Sequence, residues 1–208
     1  YNVYSDPDGT VYDKLPRSFK RAVGNIASKL PAKRGVNFFV RKGKTVEERF
    51  IGNAYMFTPS ERKSLLKIKT SAPDPMSITK PFYDNVKSKD DVTKMQYLDL
   101  HLWMAGDILL KADKMSMANS LELRVPFLDK EVMKVAERIP TKYRVTHDKS
   151  TEETKYITKY AMRLAAKKDT PKQTEQTAAK KKLGFPVPIR VWLREDKYYN
   201  VVRSVFES

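Results

Sequence analysis

Two stretches of this sequence hold residue types that could do chemistry. The first is Gly106–Asp129, GDILLKADKMSMANSLELRVPFLD. In it Asp107, Lys111, Asp113 and Lys114 are threaded through an apolar stripe of Ile108, Leu109, Ala112, Met115 and Ala118 at helical steps. Its second half places Glu122 and Arg124 in an apolar segment that breaks at Pro126, and Asp129 stands where it can cap the next element. Acids and bases alternating inside a nearly buried sequence are costly unless they pair or take part in a reaction. The stretch reads either as a paired core helix and turn or as charge held for chemistry. The second place is Lys180-Lys181-Lys182, abutting Leu183-Gly184-Phe185. A basic loop meeting an apolar wall at a Gly-Phe-Pro turn can close cations over a phosphate and stabilise the charge that develops during phosphoryl or adenylyl transfer. The alternative is a basic surface run that ends at a structural proline turn.

The elements that must position these residues are helical. Phe19, Val23, Ile26 and Leu30 mark one apolar face of a helix over Pro16–Leu30, which Pro31 stops. Gly35–Val40 is an aromatic-rich run that can start another helix, and Thr45–Phe57 shows helical spacing. Thr58-Pro59-Ser60-Glu61 is a capping box with proline at the first helical position, so a helix runs to about Ile68. Residues 70–81 are a loop and a new start. Asp90–Met104 puts Val92, Met95, Leu98 and Leu102 on one stripe and feeds directly into the first reactive stretch. Helices are expected over Asp129–Ile139, closed by Pro140, over Thr151–Ala166, and over Tyr198–Phe206. Lys167–Lys182 has no large apolar residue and must be exposed. No β-alternation or repeat stands out. The expected class is all-α, an irregular multi-helix domain. Tyr97, Trp103, Trp192, Tyr198 and Tyr199 read as core, and His101 as a satisfied buried imidazole.

Composition narrows the chemistry. The 208 residues are 40% apolar, enough for a core. There is no cysteine, which removes disulfides, thiol nucleophiles and thiolate zinc sites. His101 and His147 lack metal-ligand spacing, so no metal site is assigned. No apolar run approaches the roughly 18 residues that span a bilayer, and no signal peptide is visible, which reads as a soluble, cytoplasmic protein without a membrane partner. The chain opens at Tyr1 without an initiator Met, which reads as a piece of something longer. Lys and Arg number 41 against 25 Asp and Glu, a net charge of +16 that attracts polyanions. A basic nucleic-acid-binding module is therefore one hypothesis. Against it, the cations are scattered over every helix, and no recognition motif occurs.

Two segments, DILLKADKMSMANSLELRVPFLDKEV and then KKLGFPVPIRVWL, together closely resemble the synthetase domain of bacterial-type, glutamine-hydrolysing asparagine synthetases. The resemblance implies the C-terminal helical half of an α/β adenine-nucleotide α-hydrolase-like (ATP-pyrophosphatase) synthetase domain, running from 1 to 208. It implies a carbon-nitrogen ligase that amidates aspartate with ATP and Mg2+ through a β-aspartyl-AMP intermediate, using ammonia from glutamine. The glutaminase domain with its catalytic Cys, the SGG-x-D-S pyrophosphate loop and the acidic segment before Tyr1 are absent. On this expectation ATP and Mg2+ are bound mainly by the other half, and this chain adenylates nothing alone. Its exposed apolar surface then belongs to an interface with the missing glutaminase and sheet domains. A homodimer is allowed, and so is a related ATP-dependent amidotransferase, or a β-lactam-synthetase-like enzyme, with another carboxylate substrate.

By the same resemblance, Lys182 matches the lysine of the K-x-G-F context that stabilises the pentacoordinate α-phosphate, with Lys181 as the alternative register and a nucleotide-binding cation. Tyr1 and Asp107 match a Tyr–acid pair beside the substrate, where a hydroxyl polarised by a carboxylate can assist amine deprotonation. Glu122, Arg124 and Asp129 are assigned to a buried network that pins the helix–turn.

Overall fold

In this computed structural model the described residues are 11–31, 34–53, 57–68, 71–148, 155–169, 171, 172, 174, 176 and 187–207. The chain divides into two compact units, Tyr1–Ala161 and Met162–Ser208.

The first unit is built from helices whose ends the sequence announces. After a 3-10 turn at Val11–Lys14 come α1 (Arg17–Ala27), α2 (Arg34–Lys42), α3 (Val46–Arg49), α4 (Pro59–Leu65), α5 (Pro75–Asn85) and α6 (Asp91–Leu98). Thr45 and Thr58 each accept a hydrogen bond from the backbone N–H of the glutamate three residues on, and that glutamate returns a bond to the cap. The capping box expected at Thr58 is therefore present, and a second one starts α3. Asp74 and Asp90 cap α5 and α6 by accepting from Met76 and Thr93 amides. The helical spacing expected through Phe57 yields only the single turn of α3. The chain leaves the helix at Phe50, which is extended, and two residues on Gly52 sits at φ +110°, a conformation that favours glycine.

The core lies where α3, α5 and α6 meet. Val46, Phe50, Tyr83, Met95 and Leu98 are buried together, with Phe82 and Leu102 packed against them. The Tyr83 hydroxyl donates to the Phe50 carbonyl at 2.5 Å. Burial, reinforced by the Glu47 charge, pushes that phenol's pKa well above its ordinary value, so it remains a donor. Lys94 of α6 reaches Glu47 of α3 at 2.7 Å, and Arg49 faces Asp91 at 3.7 Å. Burial opposes ionisation of Glu47, yet hydrogen bonds from Lys94, the backbone and Thr45, together with the Lys94 charge, hold its pKa below the usual value.

α1 behaves differently from its sequence pattern. Its close contact with α2 is made by small residues. A Cβ on Gly43 would lie 2.8 Å from the Lys20 carbonyl oxygen and 2.9 Å from the Gly24 Cα, so only glycine permits this approach. Gly24 and Ala27 are buried, while Phe19, Ile26 and Leu30, expected on the core face, are exposed.

From α6 the backbone runs without a break into a π-helical segment, Asp99–Leu109, and then α7 (Leu110–Ala118). α7 ends in a Schellman arrangement: Leu121 N–H donates to the Ser116 carbonyl and Ser120 N–H to that of Met117. Ser120 takes φ +54° there, a conformation costly to any residue with a Cβ. After a 3-10 turn at Pro126–Leu128, Asp129 caps α8 (Lys130–Arg138) through the amides of Glu131 and Val132. α9 (Thr141–Arg144) comes next, its Arg144 bonded to Gln96, Thr93 and Thr141 at 2.7–2.8 Å.

The helical class expected from the sequence holds, with one addition. β1 (Val145–Asp148) and β2 (Lys155–Thr158) pair antiparallel, Val145 opposite Thr158 and Asp148 opposite Lys155. The helix expected over Thr151–Ala166 therefore starts later, as α10 (Tyr160–Asp169), because Lys155-Tyr156-Ile157-Thr158 is aromatic and β-branched and finds a partner strand. Residues 151–154 lie outside the described set. In the second unit, α11 (Ile189–Trp192) and α12 (Asp196–Glu207) are the helices after position 187.

Two changes in stability are expected from this packing. Leu98→Ala removes a fully buried side chain and lowers unfolding free energy by about 2–5 kcal/mol in urea titration. Ser120→Gly relieves the left-handed backbone and raises stability by about 1 kcal/mol in the same assay.

Candidate functional site

Asp107 is the described residue around which a site can be built. The π-helical segment that carries it is anchored at its start. Leu98 is wholly buried just before it, and Asp99, also buried, accepts from Asn53 Nδ2 at 2.6 Å. From that fixed end the wide turns run outward, and Asp107 arrives at the surface with its side chain about 44% exposed. Trp103, four residues earlier, donates its indole Nε1–H to Asp107 Oδ2 at 3.1 Å. Lys111, four residues later, places Nζ 3.0 Å from Oδ1. Residues four apart share a helical face, so Trp103, Asp107 and Lys111 form one column across the join between π and α geometry. The hydrogen bond from Lys111 above all, with the Lys111 charge and the Trp103 hydrogen bond, holds the Asp107 carboxyl below its ordinary pKa against the opposing effect of desolvation.

A carboxylate so held is a fixed negative charge rather than a strong base. It can orient and polarise a hydroxyl or ammonium brought to it. It does not by itself suit Mg2+, which demands several oxygen ligands in octahedral array, whereas both Asp107 oxygens already face a donor. Among the described residues no group of three or more His, Asp and Glu is placed to share a metal ion.

The remaining expectations divide. Tyr1, Lys181 and Lys182 lie outside the described residues. Asp113 and Lys114 are exposed. Glu122 and Arg124 do pair, but on the surface, with side chains 74% and 81% exposed, so the buried network expected of them is absent. Asp129 does hold the turn, its side chain capping α8 and its N–H donating back to the Pro126 carbonyl. The apolar residues of this stretch are not core either: Met115, Leu121 and Phe127 are all more than 60% exposed. Sequence periodicity marks an apolar face but not what covers it. His101 is exposed rather than buried. Its Nδ1 lies 2.8 Å from the Tyr97 carbonyl oxygen and its ring is 4.2 Å from the Tyr97 ring. Trp192, Tyr198 and Tyr199 are exposed as well, with Trp192 and Tyr198 rings 6.0 Å apart. Trp103 was readable from its spacing to Asp107, yet its aromatic character pointed to the core.

The family model for asparagine synthase matches residues 12–208. The chain belongs to the asparagine synthase family. It is 42% identical over 210 aligned residues to "Asparagine synthetase [glutamine-hydrolyzing] 1" of Bacillus subtilis, covering 100% of this chain and 32% of that protein. It is 40% identical over 196 residues to proteins named "Putative asparagine synthetase [glutamine-hydrolyzing]" from Mycobacterium bovis and Mycobacterium tuberculosis, covering 93% of this chain and 28% of each. The chain thus spans about a third of the length of these relatives. No solved structure matches it. Family membership does not favour the nucleic-acid reading of the charge. No helix among the described residues is long and apolar enough to cross a membrane.

The state of Asp107 is directly measurable. Followed by carboxylate-detected NMR titration, it should stay ionised to lower pH than an ordinary aspartate. Lys111→Gln should move its midpoint upward, because removing a cation and a donor destabilises the charged form. An unchanged midpoint would show that the pair is not formed in solution.

Proposed function

We propose that this chain is the C-terminal helical part of an asparagine synthetase domain, and that the full-length protein is a carbon-nitrogen ligase that amidates aspartate. The observation that carries the reading is the 42% identity to a named glutamine-hydrolysing asparagine synthetase over the whole of this chain. The reaction is adenylation of the aspartate side-chain carboxylate by ATP, followed by displacement of AMP by ammonia derived from glutamine. ATP is held mainly by sequence outside this chain, together with Mg2+, for which the described residues offer no suitable donor set. The protein is cytoplasmic, and the apolar side chains exposed along 108–135 are covered by the sheet-bearing part of the same protein.

The contribution of this chain is electrostatic. Lys182 supplies a cation to the non-bridging oxygens of the α-phosphate as pyrophosphate departs, with Lys181 as the neighbouring candidate. Its position beside Gly184-Phe185-Pro186, in the order found in the family, supports this role. Asp107 keeps its negative charge at neutral pH and orients the Tyr1 hydroxyl toward the attacking amine.

In the full-length protein, Lys182→Ala should reduce aspartate-dependent pyrophosphate release by about 100- to 1000-fold, the scale for loss of one donor to a developing oxyanion. Lys181→Ala should leave most of it intact. The reverse pattern moves the role to Lys181, and normal release in both variants rejects the assignment. Replacing aspartate with other carboxylic acids in the same assay tests the substrate.

A further inference from the structure

Three facts converge on the face that carries Asp107. The segment is π-helical over Asp99–Leu109, and such wide turns are uncommon and occur frequently at functional sites. Both carboxylate oxygens face a donor on their own helix: Trp103 Nε1–H at 3.1 Å and Lys111 Nζ at 3.0 Å. The Asp107 side chain nonetheless remains nearly half exposed, so its outer lone pairs are open to an incoming group. An aspartate carboxylate rotates easily about its terminal bond, and an exposed one does so most freely. Donors on opposite oxygens remove that freedom and leave one edge presented outward. The two donors also differ in kind. The indole is half-buried and neutral, and fixes direction; the ammonium is exposed, and supplies charge.

We infer that Trp103 and Lys111 are positioning residues of the synthetase reaction, clamping Asp107 from both sides so that its carboxylate is presented at a fixed angle. This rests on the reading of Asp107 given under the proposed function. The clamp acts in the amide-forming half of the reaction, where a proton must leave the attacking amine. It takes no part in adenylation, whose charge develops at the phosphate. Among the described residues Lys111 is the charged side chain that acts on Asp107, so its removal takes away both a donor and a positive charge.

The test uses the full-length protein with saturating ammonium in place of glutamine, and compares asparagine formation across pH with aspartate-dependent ATP–pyrophosphate exchange. Trp103→Phe and Lys111→Gln should each move the acid limb of kcat to higher pH, because a less stabilised carboxylate is protonated sooner. Exchange should persist in both, and Lys111→Arg should restore the original limb. Asp107→Asn should lose about 100-fold or more in asparagine formation, the lower range for a group assisting proton transfer. If Asp107→Asn forms asparagine normally, the catalytic reading of Asp107 fails. If Asp107→Asn is inactive while Trp103→Phe and Lys111→Gln keep the wild-type acid limb, the clamp is overturned and the catalytic reading stands. Lys111 is largely exposed, so Lys111→Gln keeps the comparison informative even where the tryptophan variant folds poorly.

Discussion

The hydrogen bond from the Tyr83 hydroxyl to the Phe50 carbonyl is the constraint on which the first unit depends. It joins α5 to the end of α3 inside a cluster where Leu98 and Met95 are essentially solvent-free. Phe50 is where α3 leaves helical geometry, and a carbonyl released there must find a donor or suffer desolvation. Tyr83 supplies one, and its phenol is kept protonated by the same burial that makes the bond valuable. Around this point Glu47–Lys94 and Arg49–Asp91 connect α3 to α6. With α3, α5 and α6 locked together, the start of the long helix through Asp99 is fixed.

That fixed start gives Asp107 its significance. A carboxylate on a frayed helix could not hold a direction, but this one lies two wide turns beyond a buried leucine and a buried, hydrogen-bonded aspartate. The exposed pair between Asp107 and Lys111 would contribute little to stability, as exposed ion pairs generally do. Its consequence is local: it maintains a charge and, with Trp103, an orientation. The chain therefore has a rigid interior at α3, α5 and α6, and an outer column of Trp103, Asp107 and Lys111 through which that rigidity reaches the surface.

The net charge of +16 finds its place in this division. Lys42, Lys94 and Arg144 have side chains less than a quarter exposed and answer to acids or carbonyl groups of neighbouring elements. Many of the remaining cations are solvated. A positive field of this kind suits polyphosphates as well as it would suit nucleic acid, and the scatter of the cations together with the family relationship does not favour the second.

Local features were legible in the sequence because they depend on neighbours a few residues apart. The capping box at Thr58 and the cap at Asp129 arise from side chains reaching nearby backbone, the stop at Pro140 from a residue without an N–H, and the helical class from apolar spacing. The motif around Asp107 was likewise visible, as was its helical setting. What covers an apolar face was not legible, since a stripe records that a partner exists and not which one. Phe19, Ile26, Met115 and Phe127 are exposed, and the close contact of α1 is made at Gly24 and Gly43. The β1–β2 hairpin needed two short segments to find each other, and no single segment announces a pairing. The clamp on Asp107 combined both kinds of information. The four-residue spacing was in the sequence, but the indole pointed to a core, and only the anchored helix turned it toward the carboxylate.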